Sequence, residues 1–319
     1  MIHDKNLNER FYKKPISLTD WSEERMKRAK YQETFSAWIL GFPALVLIGV
    51  FMVVPFFMSV WYSFTNKMLV ENASNPLRFT GLDNFIKMFE SQEVKDAFIQ
   101  TFKYAIVVIP FTVILATLLA LLINKKIKGI TFFRAVYFSP QAVTVTVIAV
   151  IWGFIFSANP EGLLNSFLGI FNIEPNTWLK NGDIAIYCLA VIGIWQVLGL
   201  QMLLILGGLQ YIPEEIYEAA VVDGCGPIRK FFMITVPLLK NTFTYVLITN
   251  TITALKLFSL VFMLTDGGPN NKTTSIIYMV YKTGFTNNQI GFASAISVIF
   301  FILVLIISLI QNKLMSESK

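Results

Sequence analysis

The stretch that decides the fold is Tyr211–Leu239, YIPEEIYEAAVVDGCGPIRKFFMITVPLL, a polar insert between two apolar runs long enough to cross a bilayer. Its first half has the character of a short amphipathic helix. Pro213 suits a first helical position, where its missing N–H costs nothing. Glu214, Glu215 and Glu218 put negative charge near the helix N-terminus, where the dipole favours it. Ile216, Ala219, Ala220 and Asp223 recur at i, i+3, i+4 and i+7 and share one shallow face, suited to a groove in another protein. Gly224 is expected to end the helix as a left-handed cap. Gly226-Pro227 then turns the chain, and a second amphipathic piece (Ile228, Phe231, Phe232, Thr235) leads through Pro237 back into the membrane.

Outward from this insert the chain is apolar. Of 319 residues, 55% are hydrophobic and 14% charged, and mean hydropathy is +0.61. Soluble domains carry about a quarter charged residues, so an integral membrane protein is expected. Six stretches are long enough to span: 35–64, 97–123, 131–157, 184–210, 238–264 and 290–311. The fold class that follows is all-α and polytopic, with a segment 1–34 before the six-helix domain 35–311 and a tail 312–319.

The basic residues orient it. Sixteen of the lysines and arginines fall in the N-terminal segment, the second interspan loop, the Tyr211–Leu239 insert with its flank and the tail; seven fall on the opposite side. Three more, Lys103, Arg134 and Lys256, lie within spans. By the positive-inside rule both termini and the insert are cytoplasmic, in a multi-pass protein of a cytoplasmic (inner) membrane. The net charge of +6 is accounted for by this distribution and is no nucleic-acid signal.

In chain order, Thr19-Asp20 is expected to cap a short helix on the anionic inner leaflet, a solvated tail being the alternative for residues 1–18. The first span ends in an aromatic belt at Trp61, Tyr62 and Phe64. Beyond it Leu82, Phe85, Ile86 and Phe89 predict an external amphipathic helix starting near Asp83; Leu163, Leu164, Phe167 and Phe171 predict another. Pro110 is expected to kink the second span. Lys103 and Arg134 are expected to snorkel to the interfaces. In the third, Pro140 beside a buried Gln141 is expected to free backbone groups and make a polar lining. The fifth is the most polar, with Asn250, Thr253, Ala254 and Leu257 on one face and Lys256 at its flank. Polar residues in spans face the bundle or a cavity, so this span is the candidate pathway lining.

Several chemistries lack their residues. The one histidine is His3, and Cys188 and Cys225 suggest neither a disulfide framework nor a metal site. No G-x-x-x-x-G-K-[ST] loop is present, so the chain is not expected to bind ATP itself, and no acid–base partner is assigned to Glu218.

Glu218-Ala219-Ala220, Gly224 after three residues, and Ile234 and Pro237 beyond nine more resemble the EAA signature of membrane subunits of binding-protein-dependent ABC importers. Val236 stands where that family usually has Leu. The competing reading is an ordinary cytoplasmic helix-turn-helix between spans. Thr265-Asp266-Gly267-Gly268-Pro269, followed by Thr273, Tyr278, Tyr281 and Phe285, resembles the external segment of the family's maltose-type carbohydrate branch. The resemblance implies a type I importer permease fold. It implies a coupling helix (Glu218, Ala219, Ala220, Asp223, Gly224) docked on an ATPase, and substrate positions at Tyr137, Gln141, Gln196, Val197, Asn250, Thr253 and Leu257. The implied partners are a second homologous permease, two ATPase subunits holding ATP and Mg, an extracytoplasmic solute-binding protein, a carbohydrate and membrane lipids. Interhelical bonding is the plain alternative for each polar residue. Lys256 would favour an anionic cargo, such as a sugar phosphate or acidic oligosaccharide, and a polyol is also compatible. A membrane scaffold or lipid-modifying enzyme is the alternative from another class.

Overall fold

The computed structural model describes residues 18–70, 76–124 and 129–316, which are helical apart from turns and loops. Among the described residues, β pairing is limited to an antiparallel bridge between Thr65 and Phe79. The described residues divide into two compact units, with the boundary between Met58 and Ser59. In the first, α1 (Leu18–Ile48) contains Pro43, and a π-helical turn, Gly49–Val53, leads into α2 (Val54–Tyr62). The helix expected near Thr19-Asp20 is therefore no separate element: α1 runs from Leu18 into the first span, Glu33–Tyr62. The expectation for residues 1–17 lies outside the described residues.

In the second unit, α3 (Asp83–Glu90) is pinned by the buried Asn84, whose Nδ2 donates to the carbonyls of Ser63 at 2.9 Å and Thr65 at 2.8 Å. Leu82, Ile86 and Phe89, the face predicted to be apolar, remain exposed. Ser91 then caps α4 (Gln92–Ile123), accepting from the Val94 N–H. A buried stripe along α4, Ala97, Thr101, Ala105, Thr112, Ala116 and Ala120, shows why this helix is central. Small residues at three- and four-residue spacing bring a neighbouring backbone close, which in lipid replaces the missing hydrophobic drive. The neighbour is α8 (Ala185–Gln210), contributing Leu189, Ile192, Met202 and Ile205. Enlarging such a buried alanine costs about 1–3 kcal/mol through overpacking. The helix runs unbroken through Pro110.

Between α4 and α8, the expected third span is not one helix. It is α5 (Ile130–Ala142) and α6 (Val145–Ile155), meeting at a 98° bend. Pro140 cannot donate to the Val136 carbonyl, and the Ser139 hydroxyl does so instead at 2.8 Å. Val143 and Thr144 are extended, and the β-branched run they begin, Val143–Ile148, has weak helix propensity. Gln141 is exposed on this chain rather than buried. Nor does Arg134 simply snorkel: half-buried, it reaches the last α4 carbonyl, Ile123, at 3.5 Å.

Helix α7 (Leu163–Gly169) repeats the arrangement of α3. The buried Asn165 donates to the carbonyls of Ser157, Asn159 and Asn176 and accepts from the Asn176 backbone N–H and the Trp178 indole N–H, while Leu163 and Phe167 are exposed. After α8 come α9 (Glu214–Val222), α10 (Pro227–Lys230), a π turn and α11 (Val236–Leu238). The expected fifth span is two helices, α12 (Lys240–Leu255) and α13 (Ser259–Leu264), interrupted at residues 256–258. A short α14 (Ile276–Tyr281) precedes the final α15 (Ile290–Ser316). Among the described residues, five helical segments are long and apolar enough to cross a membrane, and the bent α5–α6 pair makes a sixth if counted as one span.

Candidate functional site

Two places in the second unit gather the residues singled out above. The first is the insert. Glu214 opens α9, with Pro213 just outside as the flanking cap residue rather than the first helical one. Gly224 has φ +71° and closes the helix. The Cys225 N–H bonds the Ala220 carbonyl at 2.8 Å and the Gly224 N–H the Val221 carbonyl at 3.0 Å, a paired closure needing a left-handed residue between them. Glu218, Ala219, Asp223 and Gly224 are exposed, but Ala220 is buried, so it is not part of the expected exposed face. The hydroxyls of Tyr217 and Thr235 meet at 3.2 Å, and the Lys230 ammonium lies 5.8 Å from the Tyr217 ring centroid, tying the two halves of the insert together. A shallow concavity of about 480 Å³ opens here among Glu214, Tyr217, Glu218, Val221, Val222 and Lys230.

The second place is the interruption after α12. Lys256 ends α12, where the helix dipole favours a cation. Backbone that leaves the helix at membrane depth must be satisfied by protein or line a cavity. Both happen. The Ser275 hydroxyl, from the loop before α14, donates to the Leu257 carbonyl and also caps α14 by accepting from the Tyr278 N–H. The Ile276 N–H donates to the Thr101 hydroxyl of α4 at 2.9 Å. Thr273, Thr274, Ser275 and Ile276 are all buried, so this loop packs into the bundle. The exit turn ahead of it is tight, with Asp266 at φ +50° and Gly267 at +80°. The Tyr278 hydroxyl donates to the Asp266 carbonyl and carboxylate. Burial and then the neighbouring carboxylate push its pKa up to about 12.

Against the interruption lies a cavity of about 210 Å³. Gln196, Val197, Asn250, Thr253, Lys256 and Leu257 all line it, so six of the eight pathway candidates meet in one place. Asn250 is fully buried; its Nδ2 donates to the Ile109 carbonyl of α4 at 3.2 Å, and its Oδ1 has no partner among the described residues. Tyr137 and Gln141 are not among the lining residues; both are exposed on α5. What Tyr137 presents to α8 is its carbonyl, which a side chain at Gly199 would strike. Sequence reasoning passed over Tyr104 and the break residues Phe258 and Ser259, which also line the cavity. Tyr104 sits in a span that otherwise reads as apolar, and its hydroxyl fits because position 193 is glycine, whose Cβ would lie 2.0 Å from it. A larger cavity of about 1000 Å³ lies further along α6 and α13, with Phe154, Asn159, Lys180 and Thr265 in its wall. Chemically, the smaller site offers amides, a phenol and one ammonium, groups that bind hydroxylated or anionic solutes without reacting with them.

Comparison with known proteins is consistent across sequence and structure. Residues 89–316 match the family described as binding-protein-dependent transport system inner membrane component. The chain is 31% identical over 286 residues to the trehalose/maltose transport system permease protein MalF of Thermococcus litoralis, covering 90% of this chain and 95% of that one. It is 31% identical over 293 residues to the sn-glycerol-3-phosphate transport system permease protein UgpA of Salmonella choleraesuis, covering 92% and 97%. Its fold matches a chain of a bacterial ABC transporter involved in the import of the acidic polysaccharide alginate, with a TM-score of 0.77 and 20% identity over 91% of this chain and 100% of that one.

Proposed function

This chain belongs to the family of binding-protein-dependent transport system inner membrane components, and on that premise we propose that it is one permease half of an ATP-driven carbohydrate importer. It is a transport subunit and not itself an enzyme. The observation that carries the cargo reading is the broken fifth span, whose interruption lines a cavity with Tyr104, Gln196, Asn250 and Lys256. Amides and hydroxyls bind sugar hydroxyls, and an aromatic ring covers the flat apolar face of a sugar.

In this reading two ATPase subunits hold the ATP and Mg²⁺, and α9 docks in a cleft of one of them through Glu218, Ala219, Asp223 and Gly224. Ala220 supports α9 from behind. Closure of the ATPases displaces α9, and α10 and α11 pass the movement to α12, a helix about 24 Å long at 1.5 Å per residue, with Lys256 at its far end. The cavity is thereby coupled to the ATPases through one continuous stretch of chain. An extracytoplasmic solute-binding protein delivers the carbohydrate, and a second homologous permease completes the pathway, bringing Tyr137 and Gln141 against the cargo. Both termini and the insert are cytoplasmic. A cysteine at position 271 should then react with an impermeant reagent in intact cells, and one at position 222 should not; the reverse pattern would overturn the orientation.

The cargo is tested in the assembled transporter in proteoliposomes, with binding protein loaded in turn with a neutral disaccharide, sn-glycerol 3-phosphate or an acidic oligosaccharide. One of these should accelerate ATP hydrolysis and accumulate inside. Failure of all three would overturn the carbohydrate reading. The Lys256 ammonium favours the two anions, and their selective acceleration would establish that second reading.

A further inference from the structure

We propose that the outer flank of the second unit holds one phospholipid with an anionic headgroup, its acyl chain in the groove between α3, α4 and α15 and its phosphate at Lys95. The groove encloses about 490 Å³ and is lined by Met88, Phe89, Val94, Phe98, Ile99, Ile299 and Leu303, with Lys95 as its one charged residue. Its direction identifies the occupant. Lys95 stands one turn into α4, and Phe98 and Ile99 follow one turn deeper. Ile299 and Leu303 are nine and thirteen residues into α15, roughly 14 and 20 Å from its start at Ile290. The groove therefore runs along the spans, from the level of α3 into the hydrocarbon, as an acyl chain does.

The mouth fixes the headgroup. Helix α3 exposes Ile86 and Phe89, and Leu82 just ahead of it, at that level, the pattern of a helix lying in the interface. A lysine there extends its ammonium to the phosphate layer while its methylenes cover apolar surface. The adjacent carboxylate, Asp96, is held by the Gln92 amide at 3.0 Å. Glu90 and Glu93 are exposed at the same level but line no part of the groove. A zwitterionic headgroup offers Lys95 a phosphate together with a competing cation, whereas an anionic one offers the phosphate alone. The groove lies on the side of the bundle away from the insert, and the proposal does not depend on the cargo.

The test uses the full chain in vesicles. A Phe98→Trp reporter is compared with the parent protein during titration with phosphatidylglycerol or phosphatidylcholine brominated in the acyl chains. The added fluorescence should be quenched by both lipids, with phosphatidylglycerol effective at a roughly fivefold lower mole fraction, the preference expected of one lysine near an anionic surface. Adding Lys95→Met should remove that preference and leave the quenching. Equal quenching by the two headgroups would overturn the anionic site. Absence of quenching would mean that a protein segment, not lipid, fills the groove, and would overturn the proposal entirely.

Discussion

The chain leaves its helices at Asp223–Gly226 and again at Lys256–Phe258, and the two interruptions are sealed in opposite ways. The first is exposed and closes on itself: both hydrogen bonds across it join residues within five positions, and one left-handed glycine suffices. The second lies inside the bundle and is sealed from a distance, by Ser275, 18 residues on, with Thr101 of α4 holding the same loop. Water can satisfy any group that the first leaves open. At the second, the open carbonyl belongs to the buried Leu257, so the protein supplies the donor. A break in water is encoded locally; a break in a membrane is encoded by the tertiary fold.

The largest effect should come from the distant seal. Ser275→Val leaves the Leu257 carbonyl unsatisfied, a loss of about 1–3 kcal/mol, and removes the α14 cap for on the order of 1 kcal/mol more. Thermal unfolding of the purified protein should show a clear fall in Tm; an unchanged Tm would mean the interruption is not held from outside. Gly224→Val comes next, with on the order of 1–2 kcal/mol of local strain. The spans share none of it, so the variant should reach the membrane at normal level, yet lose ATPase attachment and cargo uptake together. Normal uptake by that protein would break the coupling assignment of α9. Thr101→Val, which takes the acceptor from the Ile276 N–H, should cost about 1 kcal/mol, and Thr101→Ser should restore it. The smallest change in stability belongs to Lys256→Met, within about 0.5 kcal/mol. Its effect should appear in selectivity, with uptake of anionic cargo reduced relative to neutral cargo. If every cargo is transported as before, Lys256 only sits at the helix end.

The same contrast explains what could be read in the sequence. Gly224, the insert and the long apolar runs were legible because local spacing and chain length determine them. So were α3 and α7, although not the way they are held: nothing in a pattern of apolar residues shows that Asn84 and Asn165 face inward while Leu82 and Phe167 face out. The break at Lys256 carries no glycine or proline to announce it, and its seal lies in another segment. At Val143–Thr144 the proline was visible, but a 98° turn depends also on the β-branched run after it. For the site, Gln196, Asn250 and Lys256 stood out as polar residues in apolar spans. Tyr104 did not, because its place in the cavity is created by a glycine on a different helix.

The bond from Ser275 to Leu257 also sets an order in time. At synthesis rates of roughly 5–20 residues per second, the 18 residues separating them take about 1–4 s to emerge. Until then the nascent fifth span has an open carbonyl and an unfinished end. The interruption that lines the cavity is thus the last part of the fifth span to be sealed. Biogenesis of this bundle is completed from its C-terminal side, so a chain truncated before Ser275 would lose more than its last span.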